Sequence, residues 1–124
     1  MKKLILLLPI LLLFFSCYNQ ERNCKDFKTG EFSFTQTIDS VTQTSTFVRT
    51  KDLQIETFNG KTDTATIRWI NDCEYVLQKL HPKNRQEKKA IGMKILTTKG
   101  KTYSFEYSYV GESKKQKGQV TKIN

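Results

Sequence analysis

The sequence is poor in the residues that most enzymes use for chemistry. One histidine, three cysteines and one tryptophan stand among 124 residues. His81 alone cannot build a histidine-based metal site, and no His, Cys or Asp cluster has ligand spacing. The cysteines lack the C-x-x-C spacing of redox catalysts. No nucleophile elbow and no phosphate-cradling glycine loop is present. Paired carboxylates for glycoside chemistry are not recognisable from spacing alone. His81-Pro82 opens a polar loop after an apolar run, the setting of an ordinary surface histidine. These absences predict a non-catalytic chain without metal or cofactor.

Acidic residues are also scarce, 12 against 21 basic ones, for a net charge of +9. A third absence concerns apolar runs. The longest, Leu4 to Phe15, is broken only by Pro9. A helix needs about 20 apolar residues to cross a bilayer, so this run is too short for a permanent span. Preceded by Lys2 and Lys3 and followed by the small Ser16, it has the layout of an export signal. It has no polar face at any helical spacing, which argues against a buried amphipathic helix.

The run ends Phe14-Phe15-Ser16-Cys17: a bulky apolar residue, a variable one, a small one, then cysteine. This resembles the lipobox of bacterial lipoproteins, with Phe14 where leucine is commoner. The resemblance implies cleavage before Cys17, a diacylglyceryl group on its sulfur and acylation of the new amine. It implies a membrane partner reached through an N-terminal lipid, since two or more acyl chains anchor stably. No Asp follows Cys17 and no acidic run follows either, so an outer-membrane anchor facing the periplasm is expected. Residues 1–16 are then the signal, 17–28 a polar tether and 29–124 a single β domain.

That compartment changes how the remaining features read. Loss of residues 1–16 removes Lys2 and Lys3 and no acid, taking the net charge from +9 to +7. Such a balance would suggest nucleic acid in the cytoplasm. Beyond the cytoplasm it points to anionic envelope partners, lipid head groups or an acidic protein, or to a solvated surface. A domain this small has no room for a cleavage-reunion module, so neither a topoisomerase nor another nucleic-acid enzyme is expected. With Cys17 lipidated, Cys24 and Cys73 remain as an even pair in an oxidising space, where a disulfide is expected. Closing a loop of that length contributes about 4 kcal/mol in the chain-entropy picture.

From Gly30 onward the hydrophobic period is two. Phe32 and Phe34 alternate with Ser33 and Thr35; Leu53 and Ile55 with Gln54 and Glu56; Ala65, Ile67 and Trp69 with Thr64, Thr66 and Arg68. Tyr103, Phe105, Tyr107 and Tyr109 alternate with Ser104, Glu106 and Ser108. β-Branched and aromatic residues dominate, as half-buried strands prefer. Asn59-Gly60 is a strong hairpin signal, and Thr50-Lys51-Asp52, Asn71-Asp72 and Lys99-Gly100 mark further reversals. The pattern predicts about eight strands near 30–37, 43–50, 53–59, 62–70, 73–80, 90–98, 101–109 and 117–123. An antiparallel meander with one apolar face must close or curl to cover that face and its edges. A small barrel or curved roll follows, all-β, with room for one helical turn at most in 83–89.

Gly30-Glu31-Phe32 at the start of this eight-strand pattern resembles lipocalin-like barrels, with Phe32 where those carry Trp. The resemblance implies a carrier of a small apolar ligand as the alternative to a binding or scaffolding domain. The aromatic row Tyr103 to Tyr109 reads as core and favours a filled interior. Two Lys-rich stretches complete the inventory: Lys83, Arg85, Lys88 and Lys89, and then Lys114, Lys115 and Lys117. Both fall between predicted strands, where they would form a contact surface for an anionic partner at one barrel end or keep hairpin edges soluble.

Overall fold

Tight turns set the architecture. At Asn59 and Gly60 both central residues have positive φ, 49° and 73°, the left-handed geometry that matches the twist of flanking strands. Asp39 and Ser40 take the same region, at 50° and 66°, so the first hairpin turns tightly without glycine. Thr50 closes the next reversal twice: its N–H donates to Leu53 O at 2.9 Å, and its Oγ1 accepts from Leu53 N at 3.2 Å. Asn71 Oδ1 accepts from Cys73 N at 2.9 Å to turn the chain again, the local bond that makes Asn a turn residue.

The computed structural model describes residues 22–124. The signal, Cys17 and the first part of the tether lie outside the described residues. Between the turns run eight strands: β1 Gly30–Ile38, β2 Val41–Arg49, β3 Leu53–Phe58, β4 Lys61–Trp69, β5 Glu74–Lys79, β6 Ile91–Lys99, β7 Thr102–Tyr109 and β8 Gln116–Lys122. Each pairs antiparallel with its neighbour, and β1 pairs with β8 through Phe32↔Lys122 and Phe34↔Val120. The meander is a closed barrel, so no edge is left unpaired. Residues 80–90 form a loop without a helix, containing one hydrogen-bonded turn in which Lys89 N donates to Gln86 O at 3.2 Å.

The two ends differ. One end carries the turns 50–52, 70–73 and 99–101 together with both flanking segments of the domain. The other carries the turns 39–40 and 59–60 and the longer loops 80–90 and 110–115. At the first end residues 22–28, read as the end of a tether, are built into the domain. Arg22 Nη1 donates to Ile95 O at 3.2 Å, and Asn23 N donates to Thr98 Oγ1 at 2.8 Å. A 3-10 turn over Cys24–Phe27 follows, and it buries Cys24 and Phe27. Cys24 is disulfide-bonded to Cys73 with Cα atoms 5.2 Å apart, and Lys28 Nζ meets Asp72 Oδ1 at 3.0 Å. Phe27 becomes a stopper: its ring packs edge-on against Tyr103 at 4.9 Å and tilted against Phe32 at 6.4 Å.

Inside the barrel the aromatic row divides. Tyr103 and Phe105 are buried, whereas Tyr107 and Tyr109 are half-exposed toward the open end. The interior is therefore filled at one end only. Small residues on other strands, Ser45 and Ala65, line the remaining space. Gly118 has no room to grow, since a Cβ there would lie 2.7 Å from Phe105 and 3.1 Å from Phe34.

One strand faces the other way from its apolar pattern. On β3 the buried position is Gln54, with Glu56 on the same side, while Ile55 pairs with the exposed Val48 on the outer surface. The register explains it. The turn at Thr50 aligns Arg49 with Gln54, and the buried arginine needs the acceptor that Gln54 supplies.

Candidate functional site

At the sealed end Arg49 is 2% exposed and lies among aromatic rings. Its guanidinium carbon is 4.7 Å from the Tyr75 ring centre, 4.8 Å from Phe32 and 5.2 Å from Phe47, within the range of cation–π attraction. All three nitrogens donate. Nε and Nη2 both reach Gln54 Oε1, at 3.2 and 3.0 Å. Nη1 reaches Phe27 O at 2.6 Å, and Nη2 also reaches the Tyr75 and Tyr103 hydroxyls at 3.0 and 3.1 Å. Burial works against this charge, but the two tyrosines more than offset it, so Arg49 stays protonated. Burial also pushes the Tyr75 phenol far above its ordinary value. Tyr75 is therefore neutral, and no carboxylate pairs with Arg49 among the described residues. Neutral dipoles and ring faces stabilise the cation.

Arg49, Gln54 and Tyr75 are also the floor of a cavity of about 160 Å³. Its walls are mostly apolar and aromatic, Phe34, Phe47, Leu77, Met93, Phe105 and Val120, with Tyr107 toward the mouth and the polar Ser45 and Glu56 in the same lining. Two smaller spaces, of about 150 and 90 Å³, open beside it and share Glu56 as a wall. A further space of about 360 Å³ lies beyond Ile91 and Tyr107, between β7 and Lys114. Together they form a cup open at the end opposite Phe27. An apolar enclosure with a few fixed polar groups is the usual makeup of a small-molecule site.

The mouth has an acidic wall on a basic chain. Glu56 and Asp63 face each other across β3 and β4. Lys79 Nζ sits 3.0 Å from Asp63 Oδ2 and 2.7 Å from Glu87 Oε1. Confinement raises the Glu56 carboxyl above its ordinary value, and the Asp63 charge adds to the rise; Lys79 and the Ser45 hydroxyl oppose it. Solvent still reaches Glu56, so its burial is that of a wall in an open cup. Glu87 organises the loop above. Its side chain accepts from Lys79 and from Lys83 N, and its own N–H donates to Asn84 Oδ1 at 2.9 Å. Those bonds hold its carboxyl below the usual range.

The basic residues singled out from sequence all lie at this open end. Lys83, Arg85, Lys88 and Lys114 are exposed, with no ion-pair partner among the described residues, and Lys117, the second residue of β8, is in the same state. Lys89 pairs with Glu112 at 3.2 Å, joining loops 80–90 and 110–115, and Lys115 pairs with Glu106 at 3.4 Å. His81 is exposed at the start of the 80–90 loop and is not among the residues that line these spaces. Cys24 and Cys73 serve the stopper; Cys17 lies outside the described residues. No group of three or more His, Cys, Asp or Glu among the described residues is placed to hold a metal.

Sequence reasoning missed Arg49, Gln54 and Glu56. A signal was present for the first: Arg49 lies in phase with Phe47 on β2, so a strand that buries Phe47 must bury Arg49 too. Comparison with known proteins adds no relative: no family model, no curated protein and no solved structure matches this chain.

Proposed function

We propose that this chain is a non-catalytic binding barrel of the cell envelope, held by lipid on Cys17, which takes a small apolar molecule into its open end. The observation that carries this reading is the asymmetry of the interior: sealed by Phe27 and the Cys24–Cys73 bridge at one end, half-filled and open at the other. A barrel selected only for stability gains by filling its interior, because each void loses packing contacts. The exposed His81 supports the non-catalytic part, and the lipobox-like ending at Cys17 supports the anchor. The tether enters at the sealed end, so a lipid on Cys17 turns the cup away from its bilayer.

The test is native mass spectrometry of the full chain gently released from its host. The expected result is one non-covalent small-molecule adduct, lost in a Ser45→Phe variant that fills the cup, together with a covalent mass gain from acylation at Cys17. A chain with no adduct, or with an adduct indifferent to Ser45→Phe, would remove the ligand part; a bare Cys17 would remove the anchor.

One observation favours a second reading, a contact surface for an anionic envelope partner. Lys83, Arg85, Lys88 and Lys114 are exposed and without ion pairs around the mouth. Reversing their charge is expected to abolish capture of such a partner if the rim binds it. Unchanged capture would end the reading.

A further inference from the structure

The cup's floor selects one end of its ligand. Gln54 is 9% exposed, and its side chain lines both the main cavity and the smaller one beside it. Arg49 donates two bonds to the Oε1 of this amide. An oxygen held that way leaves the amide nitrogen as the group free to face the cavity. Among the described residues Nε2 has no hydrogen-bond partner, and none of their side-chain nitrogens or oxygens is both sealed and unpartnered. Nε2 must therefore reach the open space. It does so polarised: a cation drawing on one end of an amide strengthens the donors at the other.

The surroundings reinforce this preference. Arg49 has no carboxylate partner among the described residues, so the floor carries an uncancelled positive charge, each of whose three nitrogens already donates within the fold. A ligand cannot displace those bonds without exposing buried acceptors. It can complete the floor by offering Gln54 Nε2 an oxygen. Above that oxygen the walls are mainly apolar, with Ser45 and Glu56 as their polar members, and a space of about 160 Å³ takes a group about the size of benzene.

We propose that the cup binds a small apolar molecule by a carbonyl or carboxylate oxygen at its inner end, received by the Gln54 side-chain N–H groups and favoured by Arg49 behind them. This rests on the ligand-binding reading of the open end and adds the head group and its orientation. At this floor an amine head is disfavoured, since it brings a donor and a positive charge to a donor-bearing, positive surface; the carboxylate of the lining, Glu56, stands two residues further along β3 toward the mouth.

Three soluble probes of one size separate the cases: benzoate, acetophenone and benzylamine, measured by equilibrium dialysis against the full chain in lipid vesicles, with protein-free vesicles as the blank. Benzoate and acetophenone are expected to bind, and benzylamine at least about tenfold more weakly. The comparison between the first two tells whether charge adds to the acceptor. The decisive variant is Gln54→Glu, which keeps an oxygen for Arg49 but replaces the N–H donors by a second oxygen. It is expected to fold, to lose benzoate and acetophenone at least tenfold, and to gain benzylamine. Equal binding of all three probes, or benzoate binding unchanged by Gln54→Glu, would overturn the head-group inference and leave the cup intact. Binding of none would overturn the cup itself.

Discussion

The two ends of this barrel use the same eight strands and treat polar groups in opposite ways. At the sealed end each side-chain nitrogen of Arg49 is engaged, a ring stops the interior, and a disulfide clips the stopper in place. Facing the open cup, Gln54 keeps an amide nitrogen with no partner among the described residues, and nearer the mouth Glu56 lies exposed to solvent with its pKa raised. The contrast teaches where polarity in a small barrel is structural and where it is available. A buried group whose bonds are all made inside the fold stabilises it; a group left half-bonded beside a cavity waits for something else.

Substitutions at each end can break or sharpen that contrast. The largest effect is expected at the floor. Arg49→Met removes the donor shared by Gln54, Phe27, Tyr75 and Tyr103 and leaves several buried acceptors unpaired, a loss of about 3 kcal/mol or more. In a small domain with about 5–15 kcal/mol in total, urea denaturation would report it as a large fall in midpoint. A small fall would mean that the arginine is peripheral to the sealed end.

Next comes the clip. Replacing Cys24 and Cys73 together by Ser is expected to cost about 2–4 kcal/mol, read by the same denaturation. The same variant should speed hydrogen exchange of the Cys24–Phe27 amides while leaving β2–β4 near the open end protected. Equal loosening of both ends would contradict the assignment of the bridge to the stopper. Gly118→Val should cost about 1–3 kcal/mol by forcing Phe105 and Phe34 apart. A silent substitution there would show that the wall yields.

The smallest effect is in the pH profile. Glu56 has a raised folded-state pKa, so the native state holds its proton to higher pH than the unfolded chain does. Stability from this group is present below its unfolded value and is lost as pH rises through the folded one. Glu56→Gln should therefore be more stable than the parent at neutral pH, with the difference vanishing in acid. Solvent access at the mouth keeps the change small. Thermal midpoints at several pH values would show it, and a variant less stable at neutral pH would reverse the sign.

Much of the fold was legible because turns and period-two runs are local signals. Asn59-Gly60, Thr50-Lys51-Asp52 and Lys99-Gly100 stand where the strands reverse, and a meander with one apolar face had to close or curl; it closes. The Cys24–Cys73 bridge followed from parity and compartment. Both Lys-rich stretches share one end because antiparallel strands put alternate loops together. Other features depend on neighbours that no local pattern contains. Leu53 and Ile55 looked like the inner face of β3, yet Arg49 across the turn set the opposite phase. The row from Tyr103 to Tyr109 promised a filled interior, yet the small Ser45 and Ala65 on other strands line open space there. Phe27 sat in a polar stretch, and only the bridge beside it brings it into the barrel.

The difference between the ends is tested most directly with dissolved xenon, which enters dry apolar cavities without needing a head group. Methyl NMR signals of Leu77 and Met93, which line the cup, are expected to shift with xenon pressure, and those of Ile67 and Ile95 in the packed core to stay in place. The Leu77 and Met93 shifts should disappear in Ser45→Phe. Uniform shifts along the barrel, or none at Leu77 and Met93, would contradict a barrel sealed at one end and open to ligands at the other.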